Sequence, residues 1–179
     1  MTPRPHAELD EQALARLANH GEEAAFVEIM LRHRDWASAL AFRFTADRDD
    51  ALDVMQEAFV ELFARFPGFV LRASLRAFLY PVIKHRCISL FRKRRKVVRL
   101  DDHLAGRDLP DLRWEPPAAG DFERMIQELP ETHREVVRLR FALDFSLDEI
   151  AQALDLPLGT VKSRLHNALK KLQLTTEAP

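Results

Sequence analysis

Near the end of the chain, Ser163, His166, Asn167 and Lys170 recur at a spacing that puts them on one face of a helix, with Lys162 and Arg164 on its flanks. Hydroxyl, imidazole, amide and ammonium groups in that array suit hydrogen bonding to base edges and phosphates. The stretch that holds them, "LPLGTVKSRLHNALKKL" (156–172), carries four cationic side chains and no anionic one. Val161, Leu165, Ala168 and Leu172 form the opposite, apolar face, with Leu169 at its edge. By itself this reads as a basic surface helix at a chain end. What precedes it changes the reading. Ser146 stands three residues before Glu149, the spacing of a capping box, and opens a short helix over 147–154. Asp155-Leu156-Pro157 then makes a tight turn, in which Asp155 tolerates a left-handed backbone, and Gly159-Thr160 opens the last helix. A short capped helix, a tight turn and a longer basic helix make a helix-turn-helix, and DNA binding becomes the better reading.

A second set of cations lies upstream. Residues 68–99 carry 10 bases and no acid, although the whole chain has a formal net charge of −1. In "VLRASLRAFLYPVIKHRCISLFRKRRKVVR" the apolar positions Leu75, Phe78, Leu79, Val82, Ile83, Ile88, Leu90 and Phe91 are interleaved with Arg72, Arg76, Lys84, His85, Arg86 and Ser89. This is the pattern of a helix packed on a core and offered to nucleic acid. Pro81 lies inside it and predicts a kink or a break near Phe78. A third set is acidic. In "DDALDVMQEAFVELFARF", Asp50, Asp53, Glu57 and Glu61 share one face, while Leu52, Met55, Phe59, Leu62, Phe63 and Phe66 share another. Such a stripe is either a solvated outer face or a docking face for a basic partner.

The residues do not assemble a catalytic or metal-binding constellation. Seven histidines and one cysteine, Cys87, occur without an HxxxH, CxxC or HExxH spacing. No glycine-rich phosphate loop is present, and the reading is a non-enzyme without cofactor or metal. One cysteine forms no internal disulfide and suits a reducing cytosol. No apolar run approaches the ~20 residues of a membrane span, and the N-terminus lacks a signal-peptide h-region. The expectation is a soluble, cytoplasmic protein with no membrane insertion.

The elements that must position these side chains are helical. Ala and Leu outnumber Val and Ile, and five glycines are few for a protein of many tight turns. The periodicity predicts helices at about 10–18, 22–44, 48–66 and 74–95, ended in the third case by Pro67 and Gly68. Residues 101–120, with three prolines and two glycines, read as an extended linker. Beyond them, Leu129-Pro130 separates two helices, the second over 131–142 with Val136, Val137, Leu139 and Phe141 apolar. The fold class is all-α, two small helical domains joined by an extended linker. The boundaries are a partly disordered segment 1–20 (residues 1–8 above all), a first domain over 21–99, the linker over 100–120 and a second domain over 121–175.

Both blocks resemble one family. "DDALDVMQEAFVELF" is similar to region 2.2, and "SLRAFLYPVIKHRCISLFRKRRK" to regions 2.3–2.4, of the sigma-70 family of bacterial RNA polymerase sigma factors. "LPETHREVVRLRFALDFSLDEIAQALDLPLGTVKSRLHNALKKL" is similar to region 4, and the two-domain layout resembles the extracytoplasmic-function (ECF) group. The resemblance implies an alternative sigma factor that binds core RNA polymerase and promoter DNA. It implies that Asp50, Asp53, Gln56 and Glu57 dock the β′ coiled coil, that the β flap is a further polymerase contact, and that an anti-sigma factor is a partner. It implies that the loop Phe69, Val70, Leu71, Arg72 and Ala73, with Arg76, Lys84, His85, Ser89 and Arg92, engages the melted −10 element. Thr160, Lys162, Ser163, Arg164, His166, Asn167 and Lys170 would meet the −35 element. The family usually has an acid where Leu52 stands, asparagine at His85, a polar or basic residue at Pro81, a basic residue at Asn167 and tryptophan at Phe78. Two other readings stay open at this level. A sigma-like decoy for an anti-sigma factor need not keep the basic stretch or the polar face of 158–172. A helix-turn-helix repressor leaves the first block without a purpose.

Overall fold

The first helix begins where its orphan amides find an acceptor: the Asp10 carboxylate accepts from the Ala13 N–H at 2.7 Å. In the computed structural model, which describes residues 6–100 and 120–176, this helix (α1) spans Glu11–Asn19. Helix α2, Glu23–Thr45, ends on Ala46 in the left-handed conformation. Asp47 then caps α3, Arg48–Phe63, accepting from the Asp49 and Asp50 N–H groups at 2.9 and 3.0 Å. Ser74 Oγ accepts from the Ala77 N–H at 3.1 Å and opens α4, Leu75–Leu100. After the linker come α5 (Gly120–Ile126), α6 (Glu131–Val137), α7 (Leu147–Leu154) and α8 (Leu158–Thr176). Among the described residues there is no strand, so the fold is all-α, as the composition predicts. The linker residues 101–119 lie outside the described ones.

The chain divides into two compact units, Met1–Leu71 with Phe78–Glu115, and Arg72–Ala77 with Pro116–Pro179. In the first, α2 and α3 form the principal pairing. Both bring alanines to the interior, Ala37 and Ala41 from one and Ala51 and Ala58 from the other, so their backbones can approach closely. Leu79, Ile83 and Cys87 of α4 recur every four residues and are fully buried. This is why Pro81 neither breaks nor ends the helix. An interior proline costs about 3 kcal/mol, and each fully buried leucine or isoleucine flanking it returns about 1.5–3. The predicted break is therefore absent, and α4 runs through to Leu100.

Residues 6–9, just before α1, are tied to the first unit by hydrogen bonds. The Arg32 guanidinium donates to the carbonyls of His6, Ala7 and Leu9, and the His6 ring bonds Glu22 at 2.6 Å. Residues 1–5 lie outside the described part. A backbone without regular structure needs a donor for its carbonyls, and Arg32 supplies one. Leu14, Ala15 and Ala18 bury the inner face of α1.

In the second unit, α6 continues through a wider turn over Arg138–Ala142, in which the Leu143 N–H reaches back to the Arg138 carbonyl at 3.2 Å. Ile126, Leu129 and Val137 form a small core with Ala168 and Leu172 of α8. Phe141, one of the apolar residues of the helix over 131–142, is exposed at the wide turn. The extra residue in that turn rotates it out of register with Val137.

Candidate nucleic-acid interface

The end of the second unit is built from local interactions that hold in three dimensions. Ser146 Oγ accepts from the Glu149 N–H at 3.2 Å, and the Glu149 carboxylate accepts from the Ser146 N–H at 2.8 Å. Both halves of the capping box are present. α7 then ends on Asp155 at φ 50°, the left-handed residue expected there. Three residues later α8 begins, one position ahead of Gly159. Val161 and Ala168 are buried, Leu172 nearly so, and Leu165 packs partly buried beside them. Lys162, Ser163, His166, Asn167 and Lys170 are exposed, while Thr160 and Arg164 are half-buried. Ser163 Oγ donates to the Thr160 carbonyl at 3.0 Å, which leaves its lone pairs for an incoming donor. The polar face is thus held outward by an apolar face that is anchored.

On α4 the exposed residues His85, Ser89 and Arg92 follow one another at steps of four and three and form one stripe. Lys84 is half-buried beside it. Arg76 is exposed but lies nine residues before His85, about half a turn round the helix, and does not share the stripe. In the loop before α4, Val70 is 76% exposed, Arg72 and Ala73 are exposed and Leu71 is half-buried. Phe69 departs from this group: it is buried, its ring 5.0 Å from Phe66 and edge-on to Phe78 at 5.2 Å. A ring held in that stack supports the loop and offers no face to a base.

The acidic stripe splits. Asp53, Gln56 and Glu57 are exposed, but Asp50 is buried and bonded to Arg94 at 2.6 Å, so it does not belong to a docking face. Glu57 and Glu61 share the Arg86 guanidinium, at 3.2 and 2.9 Å. Part of the basic partner for the stripe is therefore α4 of the same chain. Arg86, placed by its sequence on the face offered to nucleic acid, is drawn to α3 instead. Leu52 reverses its expected side as well: it is 45% exposed and stands with Asp53 and Gln56. Val60, on the same face, is more exposed still. Small shallow grooves flank this face, one of about 410 Å³ lined by Asp53, Gln56, Glu57, Val60 and Arg86, the other of about 450 Å³ with Phe42 and Leu52 among its walls. The sequence reading missed the apolar share of this surface. Its signal was an apolar Leu52 and Val60 at i, i+8, in line with Gln56 between them.

Cys87 is buried, and burial, with a smaller contribution from the nearby Asp50 carboxylate, pushes its thiol up to about 12. At neutral pH it is a packed thiol rather than a nucleophile. Among the described residues no three His, Cys, Asp or Glu side chains gather as a metal site, and no helix is long and apolar enough to cross a membrane.

Comparison with known proteins agrees with this layout. Residues 29–97 match the family described as Sigma-70 region 2, and residues 119–172 the one described as Sigma-70, region 4. The ECF RNA polymerase sigma factor SigW of Bacillus subtilis is 27% identical over 167 residues, covering 86% of this chain and 89% of that protein. SigV of the same organism, an RNA polymerase sigma factor, is 29% identical over 157 residues, 87% of this chain and 94% of that one. The solved structure of CnrH in complex with the cytosolic domain of CnrY superposes with a TM-score of 0.60 at 25% identity, covering 94% of this chain and 99% of that chain. The sigma factor RpoE of Bartonella quintana, solved with the anti-sigma factor NepR, gives 0.55 at 25% identity over 86% and 98%.

Proposed function

Because the chain belongs to the sigma-70 family, in its ECF group, and is an alternative sigma factor that binds core RNA polymerase and directs transcription initiation, we propose that its two units grip a promoter at two points. The exposed face of α8 enters the major groove at the −35 element. Lys162, Ser163, His166 and Asn167 lie nearest the bases, and Arg164 and Lys170 hold phosphates. Val70, Leu71, Arg72 and Ala73 take up the unpaired −10 strand, with His85, Ser89 and Arg92 tracking its backbone. Asp53, Gln56 and Glu57, together with Leu52 and Val60, dock the β′ coiled coil. An apolar and acidic mixture suits such a helix pair better than a purely acidic stripe, since apolar area supplies affinity and charge supplies orientation. The β flap and an anti-sigma factor are the further partners. The protein acts by binding rather than catalysis, in the cytoplasm where the polymerase works.

The observation that carries this reading is the anchored α8: its apolar residues are buried and its polar ones exposed, behind a complete capping box and turn. It also favours an active factor over a decoy, which has no use for a solvent-facing set of base-reading side chains. Purified protein added to core polymerase should direct initiation from a discrete promoter set in run-off transcription. Asp53→Arg should weaken core binding, and His166→Ala should alter only the −35 preference. Transcription no more selective than with core polymerase alone overturns the proposal.

A further inference from the structure

Asn19, the last residue of α1, places its side-chain amide against the loop that precedes α4, some fifty residues later in the chain. Its Oδ1 accepts from the Gly68 N–H at 2.7 Å and from the Phe69 N–H at 3.0 Å, while its Nδ2 donates to the Phe69 carbonyl at 2.9 Å. Both main-chain groups of Phe69 are thereby satisfied by one side chain, as a neighbouring strand would satisfy them. Gly68 lies at φ 106°, a conformation that turns two successive N–H groups toward one acceptor and that other residues rarely adopt. The Phe69 ring is fixed independently between Phe66 and Phe78. One residue further on, Val70 is three-quarters exposed. The chain passes from pinned to presented within a single peptide unit.

Asn19 does not serve its own helix in doing this. The α1 terminus is closed by backbone bonds from His20 and Gly21, to Leu17 and Ala18 at 3.0 Å each. The helix is in turn immobilised by its buried face, Leu14, Ala15 and Ala18, and its side chain at position 19 is left to act as a fixed arm. Asn19 also lies outside residues 29–97, the segment matched by the region 2 family.

We propose that Asn19 is a positioning residue for −10 recognition: it sets where Val70 and Leu71 stand relative to the His85, Ser89 and Arg92 stripe, and so fixes which −10 sequence is accepted. The proposal rests on the reading of 69–73 as the −10 loop. Asparagine is suited to the position because one planar amide offers an acceptor and a donor to the same peptide. Aspartate keeps the two accepted bonds but sets a carboxylate oxygen against the Phe69 carbonyl in place of the donor; alanine loses all three.

The test uses the full chain reconstituted with core polymerase and two promoter libraries, one randomised at −10 with the −35 element fixed, the other the reverse. Asn19→Ala should lower initiation on the preferred −10 element roughly tenfold, within the range that misplacing a binding group by an ångström costs. It should flatten the −10 preference while leaving −35 preference and core affinity unchanged. Asn19→Asp, which keeps the two accepted bonds, should lose less of the −10 preference than Asn19→Ala. A merely structural role predicts something else: equal loss on every −10 sequence, in step with a lowered melting temperature. That result, or an unaltered −10 profile for Asn19→Ala, overturns the proposal. Val70→Ala and Arg72→Ala separate the two levels. If they flatten the −10 profile and Asn19→Ala does not, only the role of Asn19 is lost. If they leave it unchanged, the loop assignment is wrong and the role of Asn19 goes with it.

Discussion

Replacing Arg138 by methionine removes the charge that clasps α5 to α6 while keeping most of the side-chain stem. In the intact protein, Arg138 Nε lies 3.0 and 3.3 Å from the two Glu123 carboxylate oxygens, and Nη2 lies 2.8 Å from one of them. The pair is nearly closed to water, its side chains 14% and 17% exposed. A further bond, to the exposed Glu131 at 3.2 Å, contributes about 0–1 kcal/mol. Breaking a fully buried pair costs about 3–5 kcal/mol, and the residual access of Glu123 to water reduces that to roughly 2–3. A unit of this size has about 3–8 kcal/mol in total, so a large part of its stability is at stake. The core shared by Ile126, Leu129 and Val137 with Ala168 and Leu172 should open, and with it the base on which α8 sits. Native-state hydrogen exchange on the whole chain reads this directly. Peptides covering 131–142 and 158–172 should exchange roughly thirty- to a hundred-and-fiftyfold faster in Arg138→Met, and those of α2 and α3 should not change. Adding Glu123→Leu removes the orphaned carboxylate and should recover most of the loss. A shift below about 0.5 kcal/mol in the single variant, or a double variant no more protected than the single one, refutes the assignment of that pair as a clasp.

Ser146→Ala should destabilise α7 by about 1 kcal/mol, measured as faster exchange over 147–154, because one N-terminal amide loses its acceptor. Lys170→Ala should weaken −35 binding evenly across sequences and lower the slope of log K against log salt by about one, whereas His166→Ala should change the preferred base, both measured by fluorescence anisotropy on −35 duplexes. The Cys87 thiol should resist alkylation until the protein unfolds. With its folded value raised to about 12, the unfolded chain loses the proton first, so stability should fall as pH rises above about 9. Urea titrations of Cys87→Val should show a shallower decline over that interval.

The two ends of the proposed grip differ in how they are made. The −35 face is a rigid helix whose exposed polar set is fixed by burial on its opposite side. The −10 face is a loop tip set on an aromatic stack, Phe66, Phe69 and Phe78, with Phe26 edge-on to Phe66 at 5.2 Å. A duplex needs a helix of fixed register, while an extruded base needs a loop held only at its root.

The residues alone determined the helix-turn-helix, because the contacts that open and close its elements span only a turn or two of chain. Ser146 and Glu149 bond one another, Asp155 adopts its own left-handed conformation, and the burial of Val161, Ala168 and Leu172 follows their period. The all-α class was legible for the same reason, but the continuity of α4 was not: Pro81 predicts a break that the burial of Leu79 and Ile83 overrides. The first unit was less so. Helical spacing in the sequence nominated Leu52 for the interior, but α2 and α3 meet through alanines, and Leu52 stands outward. Asp50 and Arg94, Glu57 and Arg86, and Asn19 and Phe69 are separated by 44, 29 and 50 residues. No periodicity links positions that far apart. Which acid is buried, which base is engaged and which loop residue is presented depend on where two helices come to rest against each other, and only the packed structure decides that.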